Sequence, residues 1–232
     1  MSIPQVKVPE FSMTLPVSKQ TITFRPFVVK EEKLLLLAKE SQTTEDTVRA
    51  IMDVVESCTF GTMKGDDYCL ADLQYAFLQI RGKSIGEEIE LILICGECNS
   101  KQPYVVTVND FEIQGDLQTS KVLNLGDVKV EMKYPDILHY GKLIEDGSNE
   151  AIFNVIVECI QKIFSEEEMF VNSEEHHHEV REFVDNLTAE NFEKFEQFFL
   201  SMPLLLKKIK FTCKQCEIVN NLQVDTIRNF FH

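Results

Sequence analysis

Four cysteines stand in two matched pairs, Cys95-Gly96-Glu97-Cys98 and Cys213-Lys214-Gln215-Cys216. A two-residue gap lets both thiolates of one turn face a common point. Four thiolates from two such turns can then surround one tetrahedral ion at about 2.3 Å. Each pair follows an apolar β-type segment, residues 91–94 or 209–212, and precedes another. Two hairpins with a thiolate pair at each tip is the layout of a zinc ribbon, so the expectation is a structural zinc site held by Cys95, Cys98, Cys213 and Cys216. The separation is unusual, because 114 residues lie between Cys98 and Cys213, where contiguous ribbons have about 20. The same residues admit other chemistry: an iron–sulfur cluster, a disulfide within each pair, redox catalysis, or unligated thiols. A redox CxxC usually opens a helix, whose N-terminus lowers the thiol pKa; both pairs here lie between strands. Cys58, Cys69 and Cys159 have apolar neighbours and read as small buried hydrophobes.

The remaining chemistry-bearing residues point less far. Glu174-Glu175-His176-His177-His178-Glu179 is rich in metal-ligating types, but adjacent helical residues project about 100° apart and cannot converge on one ion. It reads as an exposed helix start. The carboxylate pairs Glu31-Glu32, Asp66-Asp67 and Glu87-Glu88, and the run Glu166-Glu167-Glu168, read as solvated faces. Gly82-Lys83-Ser84 lacks the upstream glycines of a phosphate loop. Nothing pairs a nucleophile with a base, so no enzyme is expected.

The elements that would carry these residues follow from prolines and periodicity. Pro4, Pro9 and Pro16 keep the N-terminal arm extended, and Thr21-Ile22-Thr23-Phe24 alternates with a strand's period. Helices are expected over 30–41, with Leu34, Leu35, Leu37 and Ala38 on one face, and from Thr43 or Thr44 with the stripe Val48, Ile51, Met52, Val55. Asp72 is expected to cap a third helix that ends near Gly82. Segments 88–95 and 104–108 read as strands, with short strands onward to 130 broken at Gly115 and Gly126. Helices are expected again over 149–164, 174–187 and 189–200. Strands over 209–213 and 218–224 precede an apolar end at Ile227, Phe230 and Phe231. This order is mixed rather than alternating, which gives an α+β class: helical subdomains around a split zinc-ribbon-like β region. The expected divisions are 1–85 (arm, strand and helices), 86–135 (β-rich, first CxxC), 136–206 (helical subdomain) and 207–232 (second CxxC hairpin and C-terminus). Phe192, Phe195, Phe198 and Phe199 lie at helical spacing and read mainly as core, with a share left for protein docking.

Composition narrows the partners. The formal charge is −15 over 232 residues, which opposes binding to phosphate backbones or anionic membranes and suits a basic protein partner. Hydrophobic residues make up 44% of the chain, enough for a real core. No apolar run approaches the ~20 residues of a membrane span, and no secretory signal opens the chain. The expected compartment is a reducing cytoplasm, where cysteines stay thiols or bind metal.

Several blocks together resemble the baseplate hub assembly proteins of T-even-type contractile-tail bacteriophages. They are Phe24-Arg25-Pro26-Phe27-Val28-Val29-Lys30-Glu31-Glu32-Lys33, Asp72-Leu73-Gln74-Tyr75-Ala76-Phe77, both CxxC pairs, Tyr134-Pro135, Phe198-Phe199-Leu200-Ser201-Met202-Pro203 and Asn229-Phe230-Phe231. The resemblance implies a non-enzymatic role: building the central hub of the tail baseplate, as a component or as an assembly chaperone. Its partners would be other hub or tail proteins, the tape measure among them. It would act in the host cytoplasm during assembly and could stay in the virion. The rival expectation is a zinc-ribbon module that binds nucleic acid or transcription machinery, for which Lys207, Lys208, Lys210 and Lys214 are the one basic cluster.

Overall fold

Prolines and two short β-type runs set the start of the chain. In the computed structural model, which describes residues 6–41, 43–64, 68–117, 121–146 and 148–225, strands β1 (Phe11–Thr14) and β2 (Thr21–Phe24) form a hairpin. Three helices follow: α1 (Val29–Ser41), α2 (Thr44–Cys58) and α3 (Leu70–Ile85). Next come β3 (Glu88–Ile94), β4 (Lys101–Thr107), β5 (Glu112–Gln114), β6 (Val122–Asn124) and β7 (Lys129–Met132). The chain continues through α4 (Ile137–Asp146), α5 (Asn149–Cys159), β8 (Ile160–Phe164) and β9 (Met169–Val171). Then come α6 (His177–Asp185), α7 (Ala189–Leu200), β10 (Leu204–Thr212) and β11 (Val219–Asp225). The mixture of helix and antiparallel sheet is α+β. Gly65, Asp66, Asp67, Ile227, Asn229, Phe230 and Phe231 lie outside the described residues.

The chain forms two units, one of residues 1–114 with 204–232 and one of residues 115–203. In the first unit, Thr43 caps α2 by accepting the Asp46 N–H at 3.2 Å. The cap of α3 is Cys69, not Asp72. The Asp72 carboxylate instead accepts the N–H groups of Val17 and Ser18 at 2.8 and 2.9 Å, tying the β1–β2 turn to the helix. Gly82 lies inside α3, where a Cβ would sit 3.3 Å from Val108 Cγ1, and the helix stops at Gly86, φ 116°. The inner side of α1 carries Glu31 and Ala38, while Leu37 is exposed, so its leucines do not form the buried face expected of them.

Strands β3 and β4 pair as a hairpin, and β11-β10-β5 form a three-stranded antiparallel sheet. Ile89, Leu91 and Leu93 of β3 point inward with Val106, Ile209, Phe211, Val224 and Leu78 of α3 to make one core cluster. A polar clamp joins α3 to this region: Gln74 Oε1 accepts the Leu205 N–H at 3.0 Å, and Gln74 Nε2 donates to Asp225 at 3.3 Å.

The second unit has a four-stranded antiparallel sheet in the order β6-β7-β8-β9. Val130 and Met132 of β7 are buried with Val155 and Ile156 of α5, Val180 and Val184 of α6, and Phe195 and Phe198 of α7. Tyr134 stacks on Phe198 with ring centroids 4.6 Å apart. Residues 149–164 do not form one helix. The helix ends at Cys159, and residues 160–164 run as β8 against β7. Ile156, Ile160 and Ile163 recur at helical spacing, but Ile160 and Ile163 find cross-strand partners in Met132 and Val130, and tertiary pairing overrides the local pattern.

Candidate metal centre

Each CxxC occupies the tip of a hairpin, and the two tips share one backbone geometry. At the β3–β4 tip the Cys95 N–H donates to Ser100 O and the Asn99 N–H to Cys95 O, both at 3.0 Å. At the β10–β11 tip the Cys213 N–H donates to Ile218 O at 2.9 Å and the Glu217 N–H to Cys213 O at 3.0 Å. The residue after each second cysteine is left-handed: Asn99 at φ 56° and Glu217 at φ 60°. Asn visits that region readily, whereas Glu does so at a steric cost.

These turns bring together all four cysteines singled out from the sequence. Cys95 Sγ lies 3.6 Å from Cys216 Sγ, and Cys98 Sγ lies 3.6 Å from Cys213 Sγ. All four sulfurs fall within 4.8 Å of one another. A tetrahedron of thiolates about 2.3 Å from zinc has edges of ~3.8 Å, so the donor set and its size fit a tetrahedral ion.

A second layer steadies the sulfurs and was not legible in the sequence. Ser100 Oγ sits 3.2 Å from Cys98 Sγ and 3.0 Å from Cys213 Sγ. Asn220 donates to Cys95 Sγ at 3.5 Å and accepts the Gly96 N–H at 3.0 Å. Gln102 Oε1 accepts the Lys214 N–H at 3.2 Å, linking one hairpin to the opposite turn. The Ser100 hydroxyl, then the N–H groups of Cys216 and Gln215, hold the Cys213 thiol down to about 6. The N–H groups of Cys98 and Glu97 lower Cys95. At Cys216 the Ile218 N–H favours the thiolate, but burial and the three neighbouring sulfurs outweigh it and push the thiol up to about 12. Donors aimed at sulfur favour the thiolate, which is the form that binds metal.

The long separation of the two pairs has a topological explanation. Residues 115–203 make up the second unit, and the chain leaves and re-enters the first unit at neighbouring positions, since Gln114 pairs with Leu204. Only residues 99–114 and 204–212, 25 in all, then connect the pairs within that unit. This is close to the spacing of an uninterrupted ribbon.

The other candidates are dispersed. None of the seven cysteines is joined in a disulfide. Burial pushes Cys58 and Cys69 up to about 11 and Cys159 to about 12; Cys58 and Cys159 are buried as expected of packed hydrophobes, whereas Cys69 is half-buried at the start of α3. His176 meets Ser173 Oγ at 2.7 Å, whereas His177 Nδ1 lies 3.6 Å from Glu158; among the described residues the three histidines share no metal cluster. Glu31 is not a solvated carboxylate. It is 4% exposed and receives Arg25 Nη2 and Ser57 Oγ, each at 2.8 Å. Of the lysine cluster, Lys207 pairs with Asp110 at 3.3 Å and Lys208 donates to Gln114 at 2.8 Å. No helix among the described residues is long and apolar enough to cross a membrane.

An α+β chain whose paired cysteine turns are split by an inserted unit is the class of protein these observations define. Residues 8–232 match the family of T4 bacteriophage base plate proteins, and the chain belongs to that family. No curated protein and no solved structure matches it significantly.

Proposed function

We propose that this baseplate protein builds the central hub of the phage tail, as a hub component or assembly chaperone, acting by protein–protein contact and without catalysis. The observation that carries the reading is the family match across nearly the whole chain. Its partners are other hub or tail subunits, the tape measure among them, met in the host cytoplasm. The −15 charge suits the role, because an acidic protein can shield a basic partner until assembly and steer the encounter. A structural zinc ion held by Cys95, Cys98, Cys213 and Cys216 joins the β3–β4 and β10–β11 hairpins. The fit of four sulfurs to a tetrahedral ion supports this.

Affinity capture of the tagged protein from infected cells, followed by mass spectrometry, tests the role. Enrichment of tail proteins is the expected result; their absence would remove the reading's main support. A gel shift at low salt, where phosphate contacts are strongest, separates it from nucleic-acid binding, which it predicts to be absent.

A further inference from the structure

The β3–β4 hairpin has two unequal edges. The Cys95 N–H bonds Ser100 O at one end and the Val108 N–H bonds Glu87 O at the other. With the register between them, Ile89, Leu91 and Leu93 exchange hydrogen bonds with Val106, Tyr104 and Gln102. Glu88, Glu90, Ile92 and Ile94 therefore turn their backbone groups away from β4, and Lys101, Pro103, Val105 and Thr107 turn theirs away from β3. On the β4 side this edge is blunted: Pro103 has no N–H, and the Thr107 N–H is taken by Asp110 at 2.7 Å. On the β3 side, Arg81 takes the Glu88 carbonyl at 3.2 Å. Among the described residues nothing bonds the outward backbone groups of Glu90, Ile92 and Ile94. An unblocked edge next to a blocked one is a template for one added strand.

The same residues point their side chains to solvent, because Ile89, Leu91 and Leu93 fill the inner face. Ile92 is 59% exposed and Ile94 49%, next to Val105 at 53%. Glu88 and Glu90 precede them on that face and have no ion-pair partner among the described residues. Cross-strand neighbours on one face pair apolar with apolar and acid with base. We propose that the outer edge of β3 docks an extended segment of a partner protein, apolar beside Ile92 and Ile94 and basic beside Glu88 and Glu90. That this partner is a tail protein rests on the assembly role proposed above; the recognition chemistry does not.

Amide exchange of the full chain with short synthetic peptides tests the edge. A peptide carrying two valines and then two lysines at every second position, Val-Thr-Val-Thr-Lys-Thr-Lys, so that all four share one strand face, should at about ten times its Kd slow exchange at Glu90, Ile92 and Ile94 about tenfold. The same peptide with glutamate for lysine, or with alternate amides N-methylated, should leave those amides unchanged. Glu88→Lys with Glu90→Lys should transfer the preference to the glutamate peptide. Equal effects of both charges, protection at Val105 instead, or no protection would overturn the proposal. So would protection already present in the free protein that is lost on dilution or on deleting residues 226–232, since a second copy or the chain's own end would then hold the edge. If the peptides fail while tail proteins are still captured from infected cells, only the edge assignment falls.

Discussion

Replacing Cys213 and Cys216 by serine leaves two thiolates where a closed tetrahedral site needs four. A structural zinc ion contributes on the order of 10 kcal/mol of apparent binding free energy to folding, against a total stability of roughly 5–15 kcal/mol. The structure says where that loss should fall. The linkage that the proposed ion would make spans only the 25 residues of 99–114 and 204–212, because the Gln114–Leu204 pairing already closes the inserted unit. Relative to the full separation, this reduces the closure entropy by about 1 kcal/mol. Ile89, Leu91, Leu93, Val106, Ile209, Phe211 and Val224 of the two hairpins pack in one core cluster. The second unit keeps a separate cluster around Val130, Ile156, Phe195 and Phe198. Hydrogen exchange on the double variant should therefore show loss of protection throughout β3, β4, β10 and β11, with the amides of α5 and α7 changed by less than about 1 kcal/mol. Equal loss in α5 and α7 would refute the independence of the two cores. Loss confined to residues 95–100 and 213–218 would refute a shared ion.

Four further outcomes follow from individual residues. At Glu31 burial raises the carboxyl pKa, but hydrogen bonds from Arg25, the Val28 N–H, Ser57 and Lys30 outweigh it and leave about 2. A folded-state pKa below the unfolded one stabilises above about pH 4.5 and is lost as pH falls toward 2, about 3 kcal/mol in all; Glu31→Gln should flatten that stretch of the Tm–pH curve, and an unchanged slope would contradict it. Glu217→Gly relieves a left-handed residue and should raise stability by about 1 kcal/mol in urea unfolding. Gly115→Ala places a Cβ 2.4 Å from Met202 O at φ 110° and should cost about 2–4 kcal/mol by the same assay. Replacing His176, His177 and His178 by Gln should leave metal content unchanged by elemental analysis, because their side chains do not converge.

The cysteine turns were legible because ligand chemistry fixes both residue type and spacing, and because each pair follows a short apolar β-type run, residues 91–94 or 209–212. What closes the distance between the two pairs was not legible. The Gln114–Leu204 pairing joins residues far apart in sequence, and β5 is only three residues long. Strand β8 was hidden because Ile156, Ile160 and Ile163 keep a helix period across the end of α5. The pair Glu31-Glu32 looks solvated in the sequence because Arg25, Ser57 and the Val28 N–H meet around Glu31 only in the fold. Asp72 has a cap residue's type at the start of α3, but its carboxylate bonds the distant turn at Val17 and Ser18, a contact the local sequence does not show. Ser100 and Asn220 carry no motif, and only the meeting of two hairpins gives them sulfurs to bond.

The role in hub assembly is tested most directly by removing the protein from an infection and imaging the tail structures by electron microscopy. The account predicts baseplates without a central hub and few complete tails, with normal assembly restored by the wild-type protein supplied in trans. Complete tails in normal number without the protein would contradict it.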